Sequence, residues 1–216
     1  MQIYLNQGVI TKQTGVGVIQ PGAGEFGDTL VSELQARYYE WAYRGKLWTI
    51  TSAYGGAVLV AASAIGQTAW APSVGLYNGS SGVNAVNLVI VSGAVALVSG
   101  TPAAGGIVWG YCPPPAGVTA AGSNAAINSV LFTAGGSIAK TFVAAAMTGS
   151  VASVMLEPFQ TNAFAGAVGA TTANTAAYQE VAGRFIVPPG AAIGITGTVG
   201  TSLTLQSAIS WIEVPV

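Results

Sequence analysis

The run Ser202-Leu203-Thr204-Leu205-Gln206-Ser207-Ala208-Ile209-Ser210-Trp211-Ile212-Glu213-Val214 decides the fold class. Leu203, Leu205, Ile209 and Trp211 fall on one side of an extended chain, and Thr204, Gln206 and Ser210 fall on the other. That period of two belongs to a strand with one face in a core. The same period, punctuated by Gly, Ser, Asn and Pro, runs back to Leu47. It predicts strands at Leu47–Tyr54, Ala57–Ile65, Ala85–Val98, Ile107–Cys112, Ser129–Phe132, Ile138–Ala145, Val151–Pro158, Tyr178–Val187, Ala191–Thr198 and Ser202–Val214. Asn78-Gly79, read as a hairpin turn, and Pro188-Pro189-Gly190 are strong turn signals. Short strands at this density predict an all-β protein, a jelly-roll β-sandwich in one domain over residues 28–216. Residues 113–126 and 162–177, rich in Gly, Ala and Thr, read as loops.

One segment breaks the pattern. Glu25–Lys46 holds seven of the thirteen charged residues (six basic and seven acidic). Leu30, Leu34, Tyr38 and Trp41 recur at helical spacing, and Glu33/Arg37 and Glu40/Arg44 are pairs four apart in the favoured order. Asp28 or Thr29 can cap the start and Gly45 can end it. One helix near the N-terminus, residues 28–44, is therefore expected. It is either an amphipathic helix lying across a sheet or a docking element. Concentrated charge in a charge-poor chain makes Arg37, Tyr38, Tyr39, Glu40, Trp41 and Arg44 the candidate interface. Residues 1–27, ending in the turn-prone Pro21-Gly22-Ala23-Gly24, read as an N-terminal arm or edge strand.

Composition narrows the function. Hydrophobic residues make up 51% of the 216 positions and charged residues 6%, against about 25% charged in an average domain. Intrinsic disorder needs the opposite balance. A net charge of −1 favours association over a dispersed monomer, and no basic cluster is present to neutralise phosphates, so nucleic acid is not an expected partner. No Asp, Glu, Lys or Arg occurs from Leu47 to Ala139. Even so, the most apolar runs, Ala57–Ile65 and Val86–Val98, fall short of the ~20 residues a spanning helix needs and lack flanking anchors. No membrane insertion is expected, and Met1–Asn6 does not read as a secretory signal. Cys112 is the only cysteine; it cannot form an internal disulfide and reads as a small buried hydrophobe.

The residues for catalysis are scarce. There is no histidine, which removes Ser-His-Asp and Cys-His nucleophile systems and the usual zinc sites. Asp28 is the one aspartate, and Glu25, Glu33, Glu40, Glu157, Glu180 and Glu213 are scattered. Gly22-Ala23-Gly24-Glu25-Phe26-Gly27 reads G-x-G-x-x-G ahead of a helix, but no acidic residue ends the next strand and no helix–strand alternation follows, so the glycines read as a hinge. Asn78-Gly79-Ser80 matches a glycosylation acceptor and reads better as a turn. The aromatic residues, Trp48, Trp109 and Trp211 among them, read as core and interface filling. No catalytic, cofactor-binding or metal residue is expected, and no enzyme.

Three stretches carry a resemblance. Glu33-Leu34-Gln35-Ala36-Arg37-Tyr38-Tyr39-Glu40-Trp41-Ala42-Tyr43-Arg44-Gly45-Lys46-Leu47-Trp48 is the first. Gly75-Leu76-Tyr77-Asn78-Gly79-Ser80-Ser81-Gly82 with Asn87-Leu88-Val89-Ile90-Val91 is the second. Phe185-Ile186-Val187-Pro188-Pro189-Gly190 followed by Trp211-Ile212-Glu213-Val214-Pro215 is the third. Together they resemble virion structural proteins of tailed bacteriophages. The resemblance implies a decoration or cement protein with a jelly-roll body. Such a protein is made in the host cytoplasm, sits on the capsid surface of the virion, and packs as a homotrimer on the major capsid protein. The alternatives are a jelly-roll major capsid protein and the host-receptor-binding tip of a tail fibre or spike.

Overall fold

The computed structural model describes residues 38, 41–42, 45–52, 66, 69–99, 107–115, 127–128, 136–143, 147–148, 152–159, 176–197 and 204–216. The chain divides into two compact units, Met1–Glu40 and Trp41–Val216; the fold below is that of the second. The predicted helix 28–44 lies outside the described residues except for Tyr38, Trp41 and Ala42, as do the predicted strands Ala57–Ile65 and Ser129–Phe132.

The second unit is all-β. Its strands are β1 (Leu47–Thr51), β2 (Ala69–Trp70), β3 (Val74–Tyr77), β4 (Val86–Ser99), β5 (Ile107–Cys112), β6 (Ile127–Asn128), β7 (Lys140–Val143), β8 (Met147–Thr148), β9 (Val154–Pro158), β10 (Ala176–Glu180), β11 (Ile186–Val187), β12 (Ala192–Gly197) and β13 (Thr204–Pro215). They form two main antiparallel sheets. The first has the order β10-β4-β13-β1-β6, with β11 also on β4, and the second has the order β7-β3-β12-β5-β9. β2 and β8 make a separate pair.

One core holds the two sheets together. Trp48, Ile50, Leu88, Ile90, Val95, Ile209 and Trp211 come from the first sheet; Val74, Leu76, Ile107, Trp109, Ile193 and Ile195 come from the second. Apolar faces stacked this way remove both sets from water, the main favourable term in folding. At the centre the packing is tight. Trp109 of β5 stacks on Phe159 with centroids 5.3 Å apart and meets Phe185 edge-on at 5.7 Å. The Trp109 indole fits because it faces Gly93 on β4: a methyl group on Gly93 would stand 2.3 Å from Cζ2 of Trp109.

The expected strands at Ile107–Cys112, Ala191–Thr198 and Ser202–Val214 are present within two residues at each end, and Ile209 and Trp211 are buried together. Two expectations need correction. The Asn78-Gly79 turn is no hairpin, because β3 pairs with β12 and β7 while β4 pairs with β13 and β10, so the chain changes sheets there. The expected strand Tyr178–Val187 is split into β10 and β11. Between Ser210 and Trp211 of β13 the partners on β4 jump from Ser92 to Ile90, so Val91 is an extra residue, a β-bulge. The Val91 carbonyl accepts from the amides of Val181 and Ala182, and Ile90 O accepts from Gly183 N. Ala182 and Gly183 turn with φ of 55° and 83°, and the strand resumes only at Ile186. The short strands β2, β3 and β8 have no counterpart in the sequence reading.

Candidate interface and its supporting networks

Of the candidate interface residues, Arg37, Tyr39, Glu40 and Arg44 lie outside the described residues. Tyr38 is half-buried and Trp41 is 38% exposed. Trp41 and Ala42 are helical, and the cap after them is explicit. Gly45 has a φ of 68°; its amide donates to Ala42 O at 3.0 Å and the Lys46 amide donates to Trp41 O at 2.8 Å. This is the bonding of a helix end closed by a left-handed glycine. The chain then enters β1 at Leu47.

The two sheets differ on their outer sides. In the second sheet the outward residues Val108, Cys112, Ala192, Thr196 and Phe142 are each no more than 2% exposed, and β12 is buried at every position, while Lys140, Met155 and Pro158 at the edges of the same rows are exposed. Pro72 is part of that cover: its Cβ would be 2.7 Å from a methyl on Gly194. In the first sheet two outward rows are open to solvent, while Ser92 and Ile212 on the same side are buried. Thr51, Ala208, Ala94 and Tyr178 lie in one row across β1, β13, β4 and β10, and Gln206, Ala96 and Ala176 in the next. All are half-buried or exposed. Tyr178 is 66% exposed, and Ile186, in the row of Val89 and Ile212, is 55% exposed. Glu180 carries the one charge in these rows among the described residues.

At one side of the sandwich a polar chain joins the sheets. The Trp109 indole Nε1 donates to Gln179 Oε1 at 3.0 Å, and Gln179 Nε2 donates to Glu157 Oε1. Arg184 donates to both Glu157 oxygens, each at 2.9 Å, while its guanidinium lies 5.6 Å from the centre of the Phe185 ring. Glu157 sits opposite Trp109, with Leu156 bulged out beside it, so this carboxylate points inward from the edge strand β9. An inward charge, a bulge and the terminal Pro158 are devices that keep an edge from pairing with another chain. Val154, Met155 and Leu156 are nonetheless exposed. Leu156 borders a concavity of about 230 Å³ with Tyr111, Arg184, Phe185, Ile186 and Ile193.

Two buried polar groups brace the end of the first sheet where the start of β4 lies beside the end of β13. Glu213 Oε1 accepts from Ser137 Oγ at 2.5 Å, Ile138 N at 2.9 Å and Ala139 N at 3.4 Å, which ties the approach to β7 onto β13. Asn78 has no solvent exposure. Its Nδ2 donates to Val86 O at 2.7 Å and Val187 O at 2.8 Å. Its Oδ1 accepts from Ser80 N at 3.1 Å and Ser80 Oγ at 2.6 Å. Its backbone bonds Ala191 O and Gly190 N. With both amide hydrogens committed inside the protein, Asn78 is no glycan acceptor in the folded chain.

Cys112 is 2% exposed, and burial pushes its thiol pKa up. Burial, and then the neighbouring Cys112, raise the Tyr111 hydroxyl as well. The raised thiol pKa disfavours the thiolate that a nucleophile or metal ligand requires. Among the described residues no three His, Cys, Asp or Glu side chains cluster for a metal ion, and no helix is long and apolar enough to cross a membrane. No protein-family model matches the chain, and neither a curated protein nor a solved structure matches it.

Proposed function

We propose that the chain is a jelly-roll structural subunit of a bacteriophage particle. In this reading it is a decoration or cement protein on the capsid surface, packs as a homotrimer on the major capsid protein, and catalyses nothing. The observation that carries the reading is the contrast between the outer faces. One is covered by the chain itself over its central strands β5 and β12. The other keeps open rows built mostly from small residues, Thr51, Ala94, Ala96, Ala176, Gln206 and Ala208, with Tyr178 at the edge and a single charge, Glu180, on that side among the described residues. A face of small, neutral side chains lets another backbone approach closely, and many weak contacts then sum to a large attraction. It offers little for solvation in isolation.

The strand order supports the jelly-roll part. β1 lies beside β13, β3 beside β12, β4 beside β10 and β11, and β5 beside β9, so the antiparallel pairs are nested from the outside of the sequence inward. The nested pairs are dealt between two sheets, β1-β13-β4-β10 and β3-β12-β5-β9, the arrangement of a long hairpin rolled into a double sheet. Viral shell subunits are among the proteins that use that roll, and the lack of histidine removes the commonest catalytic side chain.

Sedimentation of the purified full chain at micromolar concentration, followed by its co-sedimentation with phage shells, tests the proposal. A homotrimer that binds preformed shells is expected. A stable monomer would refute the trimer. Closed shells built by the chain alone would make it the shell protein instead of a decoration.

A further inference from the structure

Asn78-Gly79 is the one Asn-Gly pair in the chain, and the proposed assembly role leaves it unused. In a flexible peptide an Asn-Gly pair is chemically labile, as asparagine is among the thermolabile residues. The Gly amide nitrogen attacks the Asn side-chain carbon, and the absence of a Gly side chain leaves that approach open. In this fold the attack is blocked at the asparagine, although Gly79 is exposed. The side-chain amide is fixed by two donated and two accepted hydrogen bonds. The Asn78 amide and carbonyl hold Ala191 and Gly190 on the other side. The Asn78 side chain is wholly buried, which keeps water from its Cγ.

We infer that Asn78 is a latent self-modification site that opens only when the corner joining β3, β4 and β11 unfolds. In the open state the Gly79 nitrogen forms a bond to Cγ of Asn78 and the Cγ–Nδ2 bond breaks. The proton lost from the Gly79 amide is taken by water or hydroxide, and Nδ2 leaves as ammonia after gaining a proton from solvent. One water then adds to either carbonyl of the resulting five-membered imide and gives aspartate or isoaspartate. No oxidant or reductant takes part. The change is self-reinforcing. The amide that donated to Val86 O and Val187 O becomes a carboxylate with no donor for either, and the buried site then sets a negative charge against two carbonyl oxygens. A chain that has opened once and reacted cannot rebuild the corner, so the residue records past unfolding and makes it irreversible.

The test is peptide mapping by mass spectrometry of the full chain held at mildly alkaline pH, folded and in concentrated urea. Ammonia loss followed by hydration at Asn78 should run at least roughly tenfold slower in the folded protein, because the reaction must wait for local opening. The yield of refolding from urea should fall in step with the modified fraction. Gly79→Ala, whose methyl would meet the Tyr77 ring at 3.2 Å, should slow the reaction in urea several-fold and preserve the refolding yield. Equal rates with and without urea would overturn the inference, as would full refolding of the modified chain or of Asn78→Asp.

Discussion

At the scale of single residues, the positions that matter most are those where a side chain is missing or fully committed. Gly93 is the clearest. Its place in β4 leaves the space that the Trp109 indole and the Phe159 ring fill from the facing sheet. Gly93→Ala puts a methyl 2.3 Å from Cζ2 of Trp109 and 2.8 Å from Cζ of Phe159. Neither ring is the loose end of a flexible side chain, so the sheets must part or the stack must tilt. Destabilisation of about 1–3 kcal/mol is expected. The midpoint of urea unfolding should drop with an unchanged slope, and an unchanged midpoint would show that the core gives way at no cost.

At the scale of elements, the joint between β9 and β10 can be taken apart. Glu157 serves two partners of unequal worth. Arg184 is 55% exposed at its side chain, so its ion pair is weak in water, worth about 0–1 kcal/mol. Gln179 is buried, so its amide loses a partner it cannot replace, at a cost of about 1–3 kcal/mol. Glu157→Ala is therefore expected to destabilise more than Arg184→Ala, and added salt should narrow both effects by the shared ion-pair part, a larger fraction of the effect of Arg184→Ala. Urea titrations of both variants at two ionic strengths measure this. Equal losses would place the stability in the ion pair instead. The bulge at Val91 is the other device at this scale. It shifts the buried phase of β4 from Leu88 and Ile90 to Gly93 and Val95, which brings Gly93 under Trp109.

At the scale of the whole molecule, the open rows of the first sheet are the surface on which the proposed self-association would depend. Ala208 lies in its middle row, between Thr51 and Ala94. A carboxylate placed there is solvated in a lone subunit but loses its water when a neighbour covers it, so Ala208→Glu should dissociate the proposed trimer and leave the β circular dichroism unaltered. Sedimentation velocity distinguishes the outcomes, and an intact trimer would move the interface off this face. How far the molecule was legible beforehand depends on the interaction involved. The strands β5, β12 and β13 were readable because the period of two and the flanking turns are local. The short β3 was not, because Val74–Tyr77 carries two outward residues, Gly75 and Tyr77, that give no polar alternation. The split of Tyr178–Val187 was not, because its cause is an extra residue in β4, far away in the sequence. Of the expected helix, the described residues carry the Gly45 stop, which local backbone chemistry dictates.

The amino-acid order alone determined that this chain builds strands, keeps charge away from most of its length and has no histidine with which to run acid–base chemistry. These follow from side-chain identity and from contacts between near neighbours. Only the tertiary structure decided that Glu157 turns inward, that Asn78 is a buried anchor instead of a hairpin tip, and that the second sheet's outer side is covered over its central strands while the first keeps open rows. Each of these depends on which distant strand becomes a neighbour, and that choice is made by the packing of the whole core.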